Sequence, residues 1–138
     1  MRFLQFLTLG ALLFGSSGCG SGKPPVAPVS GKVVYQGKPL KFGQVFFHPE
    51  AGTQGRGTIQ PDGTFTLTTY QDQDGAQIAM HKVRITSFEV QDPAGDPKRF
   101  AGGNGKSLIP EKYTSLVTTD ISKEVVAGSN TFEIVLED

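Results

Sequence analysis

The chain has 138 residues, with 13 basic and 13 acidic side chains, so its formal charge is zero at pH 7. That balance excludes the basic footprint of a nucleic-acid-binding surface, and no Lys/Arg cluster with interleaved aromatics stands out. With 18 Gly, 9 Pro, 10 Phe, no Trp and one Cys, the composition describes short strands joined by frequent turns and excludes a disulfide framework.

The first segment has the three parts of a secretory leader. Arg2 gives a positive start, Phe3 to Phe14 is apolar apart from Gln5, Thr8 and Gly10, and Gly15 to Gly18 are small. The apolar run falls short of the roughly 20 residues that a spanning helix needs, and no later segment approaches that length. Ser16-Ser17-Gly18-Cys19 resembles the bacterial lipobox, Leu-Ala/Ser-Gly/Ala-Cys, with Ser16 in the place where Leu is usual. An exported protein rarely keeps one unpaired thiol, so Cys19 reads as an acylation site. The expectation is a signal peptide over 1–18, palmitate-type acylation of Cys19, and an exported lipoprotein facing the periplasm or the cell surface. Two or more acyl chains hold a protein that one chain releases.

Residues 19–28 include Gly20-Ser21-Gly22-Lys23-Pro24-Pro25 and read as a flexible spacer. A β domain is expected over 29–138. Val29, Val33 and Tyr35 share one face of a strand that ends at Gln36-Gly37-Lys38-Pro39. A Phe-rich strand follows over Gly43 to His48, with Pro49 closing it. Arg56 to Gln60 and Thr64 to Tyr70 flank Pro61-Asp62-Gly63, the strongest hairpin signal in the chain. Over Met80 to Val90, Val83 and Ile85 oppose Lys82, Arg84 and Thr86. Thr118 to Val126 alternates less regularly, and Phe132, Ile134 and Leu136 mark a half-buried final strand. Together these predict an all-β, antiparallel, seven-stranded β-sandwich. Between Gln91 and Tyr113 the alternation gives way to a long Gly- and Pro-rich loop, with one helical turn over Ile109 to Tyr113.

Several motifs resemble those of transthyretin-like and carboxypeptidase regulatory-like sandwich domains, a branch of the Ig-like architectures. They are Val29-Ser30-Gly31-Lys32-Val33, Gly37-Lys38-Pro39-Leu40, Gly43-Gln44-Val45-Phe46-Phe47 and Gly57 to Phe65. His81-Lys82-Val83-Arg84-Ile85 and Ile109-Pro110-Glu111-Lys112-Tyr113 are similar to segments of small planctomycete lipoproteins. The resemblance implies a fold and leaves activity open, because function belongs to sites. Transthyretin-related hydrolases end in Tyr-Arg-Gly-Ser, whereas this chain ends Phe132 to Asp138 without that signature.

No catalytic constellation emerges from the spacing. Gly102 to Ser107 lacks the first Gly of a phosphate-binding loop, where Phe100 stands. Asp72-Gln73-Asp74-Gly75 resembles part of a calcium loop but has no closing bidentate Glu, so it reads as a turn. His48 and His81 would need a carboxylate such as Glu50 or Glu111 to complete a metal centre. No serine stands in a nucleophile-elbow setting. Lys82 and Arg84, with Lys112, define a candidate anion-binding strip beside Tyr113. The reading is therefore a non-catalytic envelope lipoprotein with no cofactor and no metal, anchored to the membrane through Cys19, its sandwich serving a structural role or binding an envelope protein or glycan. The alternative is an exported hydrolase or metal-dependent enzyme built on loop 91–113 with His48 and His81.

Overall fold

Strands form where apolar side chains alternate with polar ones, and the computed structural model, which describes residues 22–95 and 105–138, is all-β. In chain order its strands are β1 (Val26–Ala27), β2 (Val29–Tyr35), β3 (Lys38–Pro39), β4 (Gln44–Pro49), β5 (Gly55–Thr58), β6 (Thr64–Thr66), β7 (Ala76–Gln77), β8 (Met80–Thr86), β9 (Ser122–Glu124) and β10 (Asn130–Leu136). Three of these, β1, β3 and β7, are two-residue segments. Two four-stranded sheets pack face to face. One runs β10-β2-β3 with β6 also on β2, the other runs β5-β4-β8-β9, and β1 and β7 make a small ribbon. No helix among the described residues is long and apolar enough to cross a membrane.

The pairing departs from a purely antiparallel sandwich at one place. β10 lies parallel to β2, with Asn130 opposite Val29 and Leu136 opposite Tyr35. Nearly the whole domain separates these strands in sequence, so no tight turn dictates their direction, and the register sets Ile134 beside Val33 on the buried face. Buried Asn130 fixes the start of the pair, donating from its amide to the Val126 and Gly128 carbonyls and accepting from the Val126 N–H.

The expected spacer also ends earlier than 28. Val26–Ala27 pairs with Ala76–Gln77, and Ala27 is buried. Two prolines before it obscure the strand in sequence, because Pro cannot donate to a ladder.

Phe47 joins the two sheets. Its ring centroid lies 6.4 Å from that of Phe65 on β6, 5.8 Å from Phe132 on β10 and 5.6 Å from His81 on β8. Val29, Val33, Val45, Leu67, Val83, Ile85, Ile134 and Leu136 complete the layer. Gly31 makes room for Phe65, because a Cβ there would meet the ring's Cζ at 2.7 Å.

The Pro61-Asp62-Gly63 turn forms, with Gln60 N–H donating to the Thr64 carbonyl and Asp62 accepting from the Thr64 N–H. The hairpin it closes is incomplete. β5 joins β4 in one sheet, while β6 joins β2 in the other. Backbone bonds link Arg56 with Thr68 and Gln60 with Thr64, and none joins Thr58 to Thr66. A Cβ on Gly57 would lie 2.5 Å from the Thr66 carbonyl oxygen, so glycine is what lets the two strands approach edge-on before they diverge.

Truncating Phe47 removes the contact common to both sheets. Phe47→Ala is expected to lower the unfolding free energy by about 3–5 kcal/mol, measured by urea denaturation. Val135→Ala, on the exposed side of β10, is expected to change it by less than about 0.5 kcal/mol.

Candidate functional site

The diverging strands leave a polar cleft of about 640 Å³ lined by Gln44, Arg56, Thr58, Gln60, Thr66 and Gln73, among others. Gly57 and Ile59 direct their backbone bonds toward β4, and Phe65 and Leu67 direct theirs toward β2. Strand alternation therefore turns the Thr58 and Thr66 backbone groups toward the cleft. Arg56, Thr58, Gln60, Thr66, Asp72 and Gln73 are exposed around it. Guanidinium, amide and hydroxyl groups at one concavity can donate to and accept from a hydroxyl-rich ligand. The sequence reading missed this cleft because it took the hairpin as fully paired. The available signal was Gly55-Arg56-Gly57-Thr58, in which glycines on the inner face alternate with long or hydroxylated residues on the outer one.

The two histidines lie on neighbouring strands. β4 and β8 are antiparallel, with His48 opposite Lys82 and Pro49 opposite His81. Alternation puts them on opposite faces. His81 points into the core with Val83 and Ile85, against Phe47, while His48 lies on the outer face beside Phe46, 6.2 Å between centroids. Nε2 of His81 donates to the Gln77 carbonyl at 2.7 Å, since a carbonyl only accepts, and Nδ1 has no partner. Nε2 of His48 is likewise covered and unpartnered. Both residues border a groove of about 450 Å³ with Glu50, Met80, Lys82, Leu116 and Ser122, and none of the described residues of 91–113 lines it. Among the described residues, no group of three His, Cys, Asp or Glu is placed to hold a metal ion.

The proposed anion strip is engaged from within. Lys82 Nζ donates to the Leu116 carbonyl at 3.1 Å. Arg84 stacks its guanidinium 4.0 Å from the Phe46 ring centroid, and burial holds its pKa below the usual value. Lys112 pairs with Asp120 at 3.5 Å and stands over the Tyr113 ring. Tyr113 is buried, and its hydroxyl donates to the Glu137 carbonyl while accepting from the Glu137 N–H. It ties the expected one-turn helix, a 3-10 turn over Glu111–Thr114, to the final strand. Cys19, the leader and residues 96–104 of the long loop lie outside the described residues. The base of that loop is closed by a bridge between Phe88 and Ser107.

Asp74 of the calcium-like segment is spent on its own backbone. Its carboxylate accepts from the N–H groups of Thr69 (2.7 Å), Tyr70 (3.0 Å) and Gln71 (2.9 Å). Burial pushes the carboxyl up, but these three donors outweigh it and leave the pKa below its ordinary 3.8.

No protein-family model, curated protein or solved structure matches the chain.

Losing the Asp74 clamp is expected to cost about 2–4 kcal/mol in Asp74→Ala, since a hydrogen bond to a charged acceptor is worth roughly 1.5–3 kcal/mol net and water can take over part of the clamp at this half-exposed turn. Calcium added during thermal unfolding is expected to leave the wild-type midpoint unchanged; a rise that Asp74→Ala abolishes would restore the cation reading.

Burial, then the charges of Arg84 and His81, push His48 below its ordinary pKa of 6.5. The unfolded chain then takes up the proton first, so stability from neutral His48 is full above about pH 6.5 and falls as pH drops through the lowered folded value. Unfolding midpoints measured from pH 7.5 to 4.5 should decline on the acid side, with a shallower decline in His48→Gln.

Proposed function

We propose that the protein is a non-catalytic lipoprotein of the bacterial cell envelope, acylated at Cys19, whose β-sandwich holds a hydroxyl-rich envelope glycan in the cleft between β5 and β6. The observation that carries the binding role is the cleft itself. It gathers the side chains of Arg56, Gln44, Gln73, Thr58 and Thr66, with two stretches of backbone that no strand covers. Positive and negative groups both border it, Arg56 and Asp72, which suits a largely uncharged ligand better than a polyanion. The anchoring role rests on the leader and on Cys19 as the only cysteine. An exported enzyme using His48 and His81 draws no support from side chains that point to opposite faces of one sheet.

Two measurements test the parts separately. Radiolabelled palmitate should enter the wild-type chain and not Cys19→Ala, and equal labelling of the two removes the anchor. Purified protein should co-sediment with isolated cell-wall polysaccharide, and Arg56→Ala combined with Thr66→Val should weaken retention about tenfold, equivalent to roughly 1.4 kcal/mol. Undiminished retention in that variant would place the ligand elsewhere.

A further inference from the structure

The chain enters the sandwich beside a group of exposed apolar side chains. The Pro25 carbonyl accepts from the Ile78 N–H at 3.0 Å, so residues preceding β1 leave the domain next to Ile78. On the other flank the β8–β9 ladder pairs Met80 with Glu124 and continues through a Val125 N–H to Ala79 carbonyl bond of 2.9 Å. That register brings Val126 across from Ile78. Ile78, Met80 and Val126 expose 40%, 57% and 49% of their surface at neighbouring positions of one register, whereas the other exposed aliphatics, Val90, Leu108, Val117 and Val135, lie on other segments. Met80 also borders the groove that Leu116 lines.

We propose that this end of the sandwich rests on the bilayer, with Ile78, Met80 and Val126 entering the headgroup and upper acyl region. The proposal rests on the lipoprotein reading of Cys19. Chain length selects the bilayer among possible apolar partners. Six residue steps separate Cys19 from Pro25, and a fully extended chain covers at most about 3.6 Å per step, roughly 20 Å in all. An acylated Cys19 therefore keeps Ile78 within about 20 Å of the membrane at all times, with Met80 about 7 Å further along the chain, whereas a soluble partner would have to find the patch by diffusion. Lys82, Glu50 and Glu124 all neighbour Met80, so contact relies on apolar insertion more than on net charge.

The absence of Trp from the chain provides a clean test. Single-Trp variants Met80→Trp, Val126→Trp and, as the distant control, Val135→Trp on β10 are prepared as full-length acylated protein. They are reconstituted into phosphatidylethanolamine/phosphatidylglycerol vesicles whose acyl chains carry bromine. All three positions are exposed, and unfolding midpoints near wild type confirm that each variant folds. The expected result is several-fold stronger quenching at positions 80 and 126 than at 135. Equal quenching at all three positions, or none, in protein that floats with the vesicles would overturn the docking surface while leaving the anchor intact. A blue shift at 80 and 126 without bromine quenching, lost when the protein is diluted in lipid, would assign the patch to a second copy of the chain and also overturn it. Wild-type protein that carries no palmitate label and does not float would remove the lipoprotein reading itself, and this proposal with it.

Discussion

Everything in the domain is arranged around the need to surround Phe47. A phenyl ring at the centre of β4 must be covered from the opposite sheet, and Phe65 and Phe132 provide that cover from β6 and β10. Phe65 can reach it only if β6 pairs with β2, and Gly31 is the position on β2 that leaves space for its ring. β6 bonds to β2 through one edge and β5 to β4 through one edge, and their two remaining edges meet at Arg56–Thr68 and at Gln60–Thr64 but not between Thr58 and Thr66. The opening there lies where the segments bend toward different sheets. At the cleft the Thr58 and Thr66 backbone groups are not paired to a facing strand, and backbone groups outside a ladder turn to side chains, as the Thr58 carbonyl does to the Gln60 amide, or to water or a ligand.

The same constraint explains the histidines. Val45 and Phe47 face inward, which turns His48 outward; Val83 and Ile85 face inward, which carries His81 in with them. A buried imidazole is tolerated because its Nε2–H reaches the Gln77 carbonyl and its ring packs on Phe47. The Gln77 side chain extends this network: with its amide oriented to satisfy its neighbours, it donates to the Ala51 carbonyl and accepts from the Tyr70 hydroxyl and the Thr53 N–H. His81 therefore helps hold the β7 ribbon and the loop after β4 against the core, a structural task for a residue whose type first suggests chemistry.

The strands and their inward faces were legible in the sequence, because alternation is a local property. Val33 and Tyr35, and Ile134 and Leu136, read correctly from residues two apart, whereas the Phe-rich run over Gly43 to His48 did not show that Val45 and Phe47 are buried and Phe46 only half-buried. The faces of the histidines were not read, and their proximity could not be, since it depends on which strand lies beside which. Strand partnership is non-local: nothing near Asn130 announces a parallel neighbour at Val29, and nothing near Thr64 says that its strand will leave the hairpin. Lys82, Arg84 and Lys112 were legible as charges but not as engaged charges, because Leu116, Phe46 and Asp120 reach them only through the fold.

Pairing of Val26–Ala27 with β7 changes what an anchor at Cys19 would do. A spacer running to residue 28 would reach about 30 Å when extended, whereas one ending at Pro25 reaches roughly 20 Å. The two-residue strand is small, but Ala27 is buried and Gly75 approaches so closely that a Cβ there would lie 1.7 Å from the Ala27 carbonyl oxygen. The attachment is therefore built into the packing of the ribbon and cannot slide to lengthen the tether. With Cys19 acylated as proposed, a sandwich held this short would sample the layer immediately above its membrane and no more distant one. A ligand for the β5/β6 cleft would then have to lie within about one domain diameter of the bilayer, which would restrict the proposed glycan to material that lies against the membrane or reaches down to it.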